Sequence, residues 1–382
     1  MISDAIRYIG ADDTDIDLFE GQYEVPNGVS YNSYVILDEK IAVMDTVDAR
    51  KTTQWLENLA LALGDRQPDY LVISHMEPDH AANIVTAAMK YPGMTLVGNA
   101  KTFQMLKQFF AIDVAGRTLE VKEGDKLSLG THELTFVMAP MVHWPEVMVT
   151  YESSEKVLFS ADGFGKFGAL GTDEEWTCEA RRYYFNIVGK YGMQVQALLK
   201  KAAALDIQTI CPLHGPVLRE NLGFYLDKYK VWSSYEPEDK GVLVACASIY
   251  GNTKAAALTL VEKLEAAGET VEFTDLTRDD IAEAVEKAFR YDRTVICAST
   301  YDGGVFPPAE AFLAHLKSKG FQNRTVALME NGTWAPMAAK AMRTALEAMK
   351  NITIPETVVT IRSVMNDETK KQIDALVSEL VK

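Results

Sequence analysis

The chain has 382 residues, 48% of them hydrophobic and 24% charged, which is enough for two domains with separate cores. Its 38 Lys plus Arg against 54 Asp plus Glu give a net charge of -16, which disfavours nucleic acid or an anionic membrane as a partner. The amino terminus lacks an apolar signal segment, and no run approaches the roughly 18 apolar residues of a membrane span, so we expect a cytoplasmic protein. The cysteines, Cys178, Cys211, Cys246 and Cys297, form no CxxC pair and are expected to be small buried residues.

The first half of the chain is predicted to be rich in strands. Short β-branched and aromatic runs bounded by turn residues indicate strands at 34–37, 41–44, 70–74, 95–98, 133–138, 147–151, 156–160 and 207–211. Apolar residues at helical spacing predict helices over 81–90 and 102–110 and a long helical region over 173–205.

Side chains that can bind metal follow the ends of four of these strands. They are His75, Glu77, Asp79 and His80 after one strand, and His143, Asp162 and His214 after three others. Along an extended loop, positions 75, 77 and 79 would point to one side. Imidazole and carboxylate both bind first-row metals, so convergence of these strand ends on one rim predicts a site for more than one ion. The remaining histidines, His132 and His315, are expected to be surface or packing residues.

A polar stretch over 230–240 is interpreted as a linker between a domain over 1–238 and a domain over 239–382. Beyond it, strands predicted at 242–247, 270–275, 294–298, 325–329 and 358–362 alternate with helices at 253–267, 279–289, 308–317, 335–349 and 367–381. Five such strand–helix units predict a doubly wound parallel sheet.

Three loops at the carboxyl edge of that sheet predict a cofactor site. The first joins a buried strand to a helix and could bind a phosphate with hydroxyls and backbone N–H groups; it comprises Ser248, Ile249, Tyr250, Gly251, Asn252 and Thr253. The other two, over 299–304 and 330–334, follow the next central strands, and their candidate contact residues are Thr300, Tyr301, Asp302, Gly303 and Gly304, and Asn331, Gly332, Thr333 and Trp334. The first loop resembles the flavodoxin phosphate loop, which implies FMN, with Tyr301 and Trp334 as candidate neighbours of its ring.

The ligand order over 75–80, followed by a His, an Asp and a His at later strand ends, resembles the metallo-β-lactamase fold, an αββα sandwich with a binuclear metal site. Zinc hydrolases of that fold usually carry His where this chain has Glu77, and a carboxylate there favours iron. Together with the segments 143–145, 162–165 and 211–216, the pattern resembles the flavodiiron proteins along the whole chain.

This resemblance implies a di-iron αββα domain followed by a flavodoxin-like domain. It assigns His75, Glu77 and His143 to one iron and Asp79, His80 and His214 to the other, with Asp162 bridging the two. In some relatives the imidazole that matches His80 is turned away from the metal, and the sequence leaves this point open. Trp144 is expected either to line the pocket or to pack beside Pro145.

The implied function is an FMN-dependent reductase of dioxygen to water, of nitric oxide to nitrous oxide, or of both. No rubredoxin or flavin-reductase extension follows Lys382, so we expect electrons from a separate donor, either a rubredoxin or a reduced deazaflavin. The two sites are expected to lie far apart within one chain. A head-to-tail homodimer, or a dimer of dimers, would then set the FMN of one subunit beside the irons of the other.

Two other functions remain compatible with the pattern. One is a binuclear zinc hydrolase with a regulatory flavodoxin-like domain, which Glu77 disfavours. The other is an electron carrier fused to an inert scaffold, which the intact ligand set disfavours. The preference between dioxygen and nitric oxide is left open.

Overall fold

The computed structural model describes residues 2–112, 114 and 116–381. The chain divides into two compact units, the first formed by residues up to Tyr184 with Met193–Lys230, and the second by Phe185–Gly192 with the chain from Val231 onward. The functional division at 238–239 stays a prediction.

The first unit is built mainly from short strands and intervening helices. Its strands are β1 (Ile6–Tyr8), β2 (Ala11–Asp13), β3 (Leu18–Phe19), β4 (Tyr23–Glu24), β5 (Val29–Tyr31), β6 (Tyr34–Ile36), β7 (Ala42–Met44), β8 (Tyr70–Val72), β9 (Thr95–Gly98), β10 (Thr118–Glu120), β11 (Lys126–Ser128), β12 (Glu133–Met138), β13 (Met148–Glu152), β14 (Val157–Phe159) and β15 (Thr209–Cys211). Its helices are α1 (Thr52–Leu63), α2 (Pro78–Ala81), α3 (Ile84–Lys90), α4 (Ala100–Phe109), α5 (Trp176–Tyr183), α6 (Gly192–Ala202) and α7 (Leu222–Ser234), the last of which runs into the second unit.

Two sheets of this unit pack face to face. One has the order β1-β6-β7-β8-β9-β10 and the other β11-β12-β13-β14-β15. Their shared core includes Tyr34 and Val72 from the first sheet and Phe136 and Phe159 from the second. The strands β7 and β8 are apolar along their length because both of their faces are covered. This is the αββα sandwich that the sequence predicted.

Local structure departs from the predictions in three places. Asp79 and His80 lie on the helical turn α2, which Pro78 begins, rather than on an extended loop. The long helix predicted over 173–205 is interrupted by a π turn at Tyr184–Val188 and a 3₁₀ turn at Gly189–Tyr191. The predicted linker is also partly regular structure, because α7 extends to Ser234 and the next strand begins at Asp239.

The second unit is a parallel sheet with helices on both faces. Its strands are β16 (Asp239–Ala247), β17 (Val271–Asp275), β18 (Tyr291–Tyr301), β19 (Gly304–Val305), β20 (Gln322–Asn331), β21 (Lys350–Thr353) and β22 (Val358–Ile361). Its helices are α8 (Asn252–Ala266), α9 (Ile281–Arg290), α10 (Pro307–Ser318), α11 (Ala338–Glu347) and α12 (Asp367–Leu380). The main order is β17-β16-β18-β20-β21, and β22 also pairs with β20. The order reverses direction beside β16, which confirms the predicted doubly wound fold.

Three of the four cysteines are buried, as the sequence predicted. Cys211, Cys246 and Cys297 are buried, whereas Cys178 is exposed, so that expectation was wrong for Cys178.

Within the described ranges, the helices are all too short or too polar to cross a membrane.

Candidate metal centre and cofactor cleft

The predicted metal ligands meet at one rim of the sandwich. His75 and Glu77 follow β8, and Asp79 and His80 lie one helical turn further on in α2. The other three come from the opposite sheet, where His143 follows β12, Asp162 follows β14 and His214 follows β15. The chain therefore brings all seven predicted side chains into two adjoining clusters, one of His75, Glu77, His143 and Asp162 and one of Asp79, His80 and His214.

The first cluster has the spacing of ligands around a single ion. Oε2 of Glu77 lies 3.1 Å from Nε2 of His75 and 3.0 Å from Nε2 of His143. Oδ2 of Asp162 lies 3.3 Å from Nε2 of His75 and 3.4 Å from Nε2 of His143. Ligand atoms lie roughly 3.0–3.4 Å apart around a first-row ion when each metal bond is about 2.1 Å. One ion therefore fits between these atoms.

The second cluster has the same spacing. Nε2 of His80 lies 3.0 Å from Nε2 of His214, and Oδ2 of Asp79 lies 3.2 Å from both nitrogens. His80 is thus turned toward the cluster. A second ion fits between these three side chains.

Asp162 connects the two clusters. Its Oδ2 faces the first cluster, whereas its Oδ1 lies 3.4 Å from Nε2 of His80 and 3.8 Å from Nε2 of His214. Both of its oxygens, and both oxygens of Asp79, are buried without a hydrogen-bond donor in the described part of the chain. A buried carboxylate without donors is unfavourable unless a cation neutralises it. The residues therefore fit a pair of metal ions.

Hydrogen bonds behind the clusters orient two of the imidazole rings. Nδ1 of His214 donates to the carbonyl oxygen of Ser30 at 2.7 Å, which leaves the Nε2 lone pair of His214 facing the cluster. Nδ1 of His75 lies 2.7 Å from Oε1 of the buried Glu146. Such outer partners set the tautomer of metal-binding histidines and raise their basicity. Neither partner could be predicted from the sequence, because each lies far along the chain from the ring that it contacts.

Asp45 holds the backbone that carries His75. Its buried carboxylate accepts the backbone N–H of Ser74 at 2.7 Å. Asp45 also adopts a left-handed conformation, with φ of 57°, which costs about 1–2 kcal/mol for a residue other than Gly. Burial raises its pKa to about 6. Residues with positive φ cannot be identified from the sequence, so this one was missed as well.

The carboxylates of the two clusters favour positively charged groups or ions between them. Burial opposes charge on His75, but the carboxylates of Asp162, Glu146 and Glu77 raise its pKa well above the ordinary value. Burial likewise disfavours charged Asp162, yet the neighbouring imidazoles hold its pKa well below the ordinary value. Excess negative charge in a buried site attracts protons or metal ions.

Aromatic side chains and one further carboxylate line the centre. The Trp144 ring centroid lies 5.1 Å from that of His75, and Trp144 also stacks on Phe109. Phe19, in the β3–β4 hairpin, packs against the His214 ring at 5.5 Å. Desolvation of the carboxyl group and the charge of Glu77 raise the pKa of the adjacent Glu20 to about 7. Neither hairpin residue was predicted, because neither belongs to a ligand motif.

The two remaining histidines lie outside the clusters. His132 is buried between Asp38, whose Oδ2 lies 2.7 Å from Nδ1, and Glu155, whose Oε1 lies 3.2 Å from Nε2. His315 lies on α10. Both are packing or surface residues by position.

A cleft of about 580 Å³ lies at the carboxyl edge of the parallel sheet of the second unit. This volume suits a small-molecule cofactor. Gly251 has a φ of 91° in the turn that opens α8, and its N–H donates to Oγ of Ser248 at 3.1 Å. The left-handed turn aims this loop and the helix amino terminus into the cleft, where they can bind a phosphate.

Most residues of the three predicted loops line the cleft. Those that do are Ser248, Ile249, Tyr250, Asn252, Thr253, Thr300, Asp302, Gly303, Asn331, Gly332, Thr333 and Trp334. Gly251, Tyr301 and Gly304 are outside its lining, so their contact with the cofactor stays a prediction. Ser299, which begins the second predicted loop, also lines the cleft, and three further lining residues were missed, namely Ala335, Met337 and Ser363.

Hydrogen bonds tie the cleft loops together. Oγ1 of Thr253 lies 3.0 Å from Oγ of Ser299, which joins the first loop to β18. Asn331 exchanges hydrogen bonds with the backbone of Ser363, which follows β22. Oγ1 of Thr300 accepts the backbone N–H groups of Met337 and Ala338 and so caps α11. Ser363 lies beside the cleft because β22 pairs with β20, and this pairing cannot be read from the local sequence.

The chain is similar to known proteins both in its first half and along its whole length. The family model described as ODP family beta lactamase matches residues 29–215. A nitric oxide reductase of Moorella thermoacetica is 28% identical over 96% of this chain and 94% of its own length. The structure superposes on rubredoxin oxygen:oxidoreductase of Desulfovibrio gigas with a TM-score of 0.93, at 26% identity over 100% of this chain and 97% of that chain. It superposes on the flavodiiron protein of Giardia intestinalis with a TM-score of 0.92, at 26% identity over 99% and 94% of the two chains.

Two of these relatives are named as oxidoreductases, the nitric oxide reductase and the rubredoxin oxygen:oxidoreductase, which counts against the zinc hydrolase alternative. The paired clusters, the cleft and the full-length similarity agree with the resemblance found in the sequence. Along its whole length the chain is therefore similar to flavodiiron proteins, and these similarities support an oxidoreductase with FMN and a pair of irons.

Proposed function

We propose that this oxidoreductase reduces dioxygen to water, nitric oxide to nitrous oxide, or both, with electrons that pass from FMN to the di-iron centre. The proposal draws on the relatives, one named for each gas. The observation that carries it is the position of Asp162, whose two oxygens each face one of the two ligand clusters.

In the proposed centre, His75, Glu77, His143 and Asp162 would hold one iron, and Asp79, His80, His214 and the same Asp162 would hold the other. When bound, the pair of irons would supply the electrons for reduction of the gas. The protein contributes a largely buried surround, in which Trp144 and Phe19 cover the imidazole ligands and limit access of water.

The cleft of the second unit is the proposed FMN site. The loop over 248–253 would hold the phosphate, and the loops over 299–304 and 330–334 would hold the ring. At its rim, Tyr250 is 93% exposed and Trp334 is 88% exposed. Exposed aromatic side chains beside a cofactor cleft are suited to contact with another protein surface.

We infer that electrons arrive from a separate donor, a small rubredoxin or a reduced deazaflavin. We also propose a head-to-tail homodimer, or a dimer of such dimers, in which the FMN of one subunit lies beside the irons of its partner. This arrangement would keep electron transfer short without any rearrangement of the chain.

The test begins with anaerobically purified protein, analysed for metals and by its visible spectrum. Two irons and one FMN per chain are expected. Consumption of dioxygen and of nitric oxide is then followed with chemically reduced rubredoxin and with reduced deazaflavin as donors. Bound zinc in place of iron, with no consumption of either gas, would contradict the proposal and favour a hydrolase.

A further inference from the structure

A small apolar cavity lies behind the loops that carry two of the proposed iron ligands. Its volume is about 20 Å³, slightly more than the roughly 10–15 Å³ that one water-sized molecule requires. Its inner wall includes Val142, which precedes His143, and Phe164, which follows Asp162 by two residues. The cavity therefore borders the loops that present His143 and Asp162.

The outer wall of the cavity is formed by α6. Leu198, Leu199 and Ala202 of this helix line the cavity and are each partly exposed at the surface. Val149 and Leu158, on β13 and β14, line its buried side. The cavity thus extends from a partly exposed helix toward the back of the metal centre.

The polar groups in the cavity wall already have partners within the protein. Oγ of Ser160 donates to the carbonyl oxygen of Gly163 at 2.7 Å, and the Tyr229 hydroxyl accepts the backbone N–H of Phe164 at 2.5 Å. A buried water needs about two to four polar partners, and apolar cavities without them stay dry and take up apolar molecules such as xenon. This cavity is therefore better suited to an apolar gas than to water.

We propose that the cavity is a docking site for a diatomic apolar gas, which it holds beside the metal centre on its route from solvent. The identity of that gas as dioxygen or nitric oxide rests on the proposed function. The site would raise the local concentration of a sparingly soluble substrate behind His143 and Asp162. Narrowing the cavity at α6 should then slow capture of the gas without altering the centre.

Xenon tests occupancy directly. Crystals of the metal- and FMN-loaded protein are pressurised with xenon, and anomalous density is expected between α6 and the strands β13 and β14. Leu199→Ala enlarges the cavity and should raise xenon occupancy, whereas Ala202→Leu fills its outer end and should lower occupancy severalfold. Ala203→Leu, at the exposed neighbouring position, adds the same bulk outside the cavity and is the matched control.

Kinetics test whether the gas uses this site. With the reduced enzyme, Ala202→Leu should lower kcat/KM for the gas severalfold while kcat at saturating gas, iron content and flavin reduction stay at the wild-type level. Ala203→Leu should behave as wild type. Absence of xenon from the wild-type cavity would overturn the proposal, and so would xenon binding with an unchanged kcat/KM in Ala202→Leu.

The gas-binding cavity and the reductase function can be refuted independently of each other. Xenon occupancy and its response to Leu199→Ala and Ala202→Leu do not depend on turnover. A wild-type enzyme that binds xenon in the cavity but consumes neither gas would refute the reductase function and leave the gas-binding site standing.

Discussion

Oε1 of Glu146 lies 2.7 Å from Nδ1 of His75, and the same oxygen accepts the backbone N–H of Met76 at 2.8 Å. Glu146 therefore fixes both the ring and the backbone of a proposed iron ligand. Its pKa is lowered because, although burial opposes the charge, the hydrogen bond and charge of His75 favour the carboxylate. A carboxylate in this position increases the basicity of the ring nitrogen that faces the metal.

Replacing Glu146 with Gln should weaken metal binding at the His75 half of the centre. The loss of an outer-shell carboxylate is expected to lower metal affinity by about 10–100-fold. Competition with a chelator, followed by metal analysis, measures this change. Glu133→Gln, at a glutamate that pairs with Lys126 on the surface, is the control and should retain wild-type affinity. Equal affinities in the two variants would show that Glu146 does not support the ligand.

Replacing Asp162 with Ala should disrupt both metal positions, because each of its oxygens faces one cluster. We expect metal content to fall below two ions per chain and gas consumption to be lost, while FMN stays bound and reducible. Elemental analysis and anaerobic titration with dithionite measure these effects. Asp173→Ala, at an exposed site, should be silent. Full turnover by Asp162→Ala would refute the bridging role.

His80 should prove to be a metal ligand in this protein. Its Nε2 is directed at the same point as Nε2 of His214 and Oδ2 of Asp79. His80→Ala is expected to lose metal preferentially from the second cluster, so that about half of the bound iron remains. Mössbauer spectra would show loss of the coupled pair. His315→Ala serves as the control, and an intact iron pair in His80→Ala would mean that the ring is dispensable.

A bulky residue at position 253 should exclude FMN. Thr253 is buried at the start of α8, and its hydroxyl lies 3.0 Å from that of Ser299. Tyr in its place would fill the space proposed for the phosphate, so we expect lower FMN occupancy by visible absorbance and by dialysis. Thr259→Tyr makes the same substitution six residues further along the helix and is the control, which should retain FMN. If Thr253→Tyr retains its flavin, the phosphate binds elsewhere.

The contacts of His132 with Asp38 and Glu155 should make the free energy of unfolding depend on pH. Burial opposes charge on His132, but its hydrogen bonds to Asp38 and Glu155, together with the charge of Glu152, raise its pKa. A raised folded-state pKa contributes stability that is complete below the unfolded value of about 6.5 and is lost as pH rises through the folded value. The free energy of unfolding of the wild type should therefore exceed that of His132→Asn most at acidic pH.

Urea denaturation at fixed metal loading, repeated from pH 6 to pH 9, measures this difference. The gap between wild type and His132→Asn should narrow as the pH rises, whereas His315→Asn should show no such trend, because its pKa is lowered by burial and by the charge of Lys319. If the difference in free energy of unfolding between wild type and His132→Asn does not change with pH, His132 has a packing role alone.

Much of the fold could be read from local sequence patterns. The alternation of apolar strands and amphipathic helices beyond residue 239 predicts the doubly wound sheet, since each unit can bury its apolar face only against its neighbours. The predicted helix over 173–205 failed because apolar spacing does not reveal the π turn at Tyr184–Val188, which shifts the helical phase.

The sequence by itself determined the kinds of ligand and their places at strand ends, because chemical identity and apolar periodicity are local properties of the chain. Only the tertiary structure decided which atoms meet. It directs Nε2 of His80 toward His214, divides the two oxygens of Asp162 between the clusters, and brings Glu146 to His75 across 71 residues of chain. These contacts depend on how two sheets pack, and the packing of distant segments cannot be read from either segment alone.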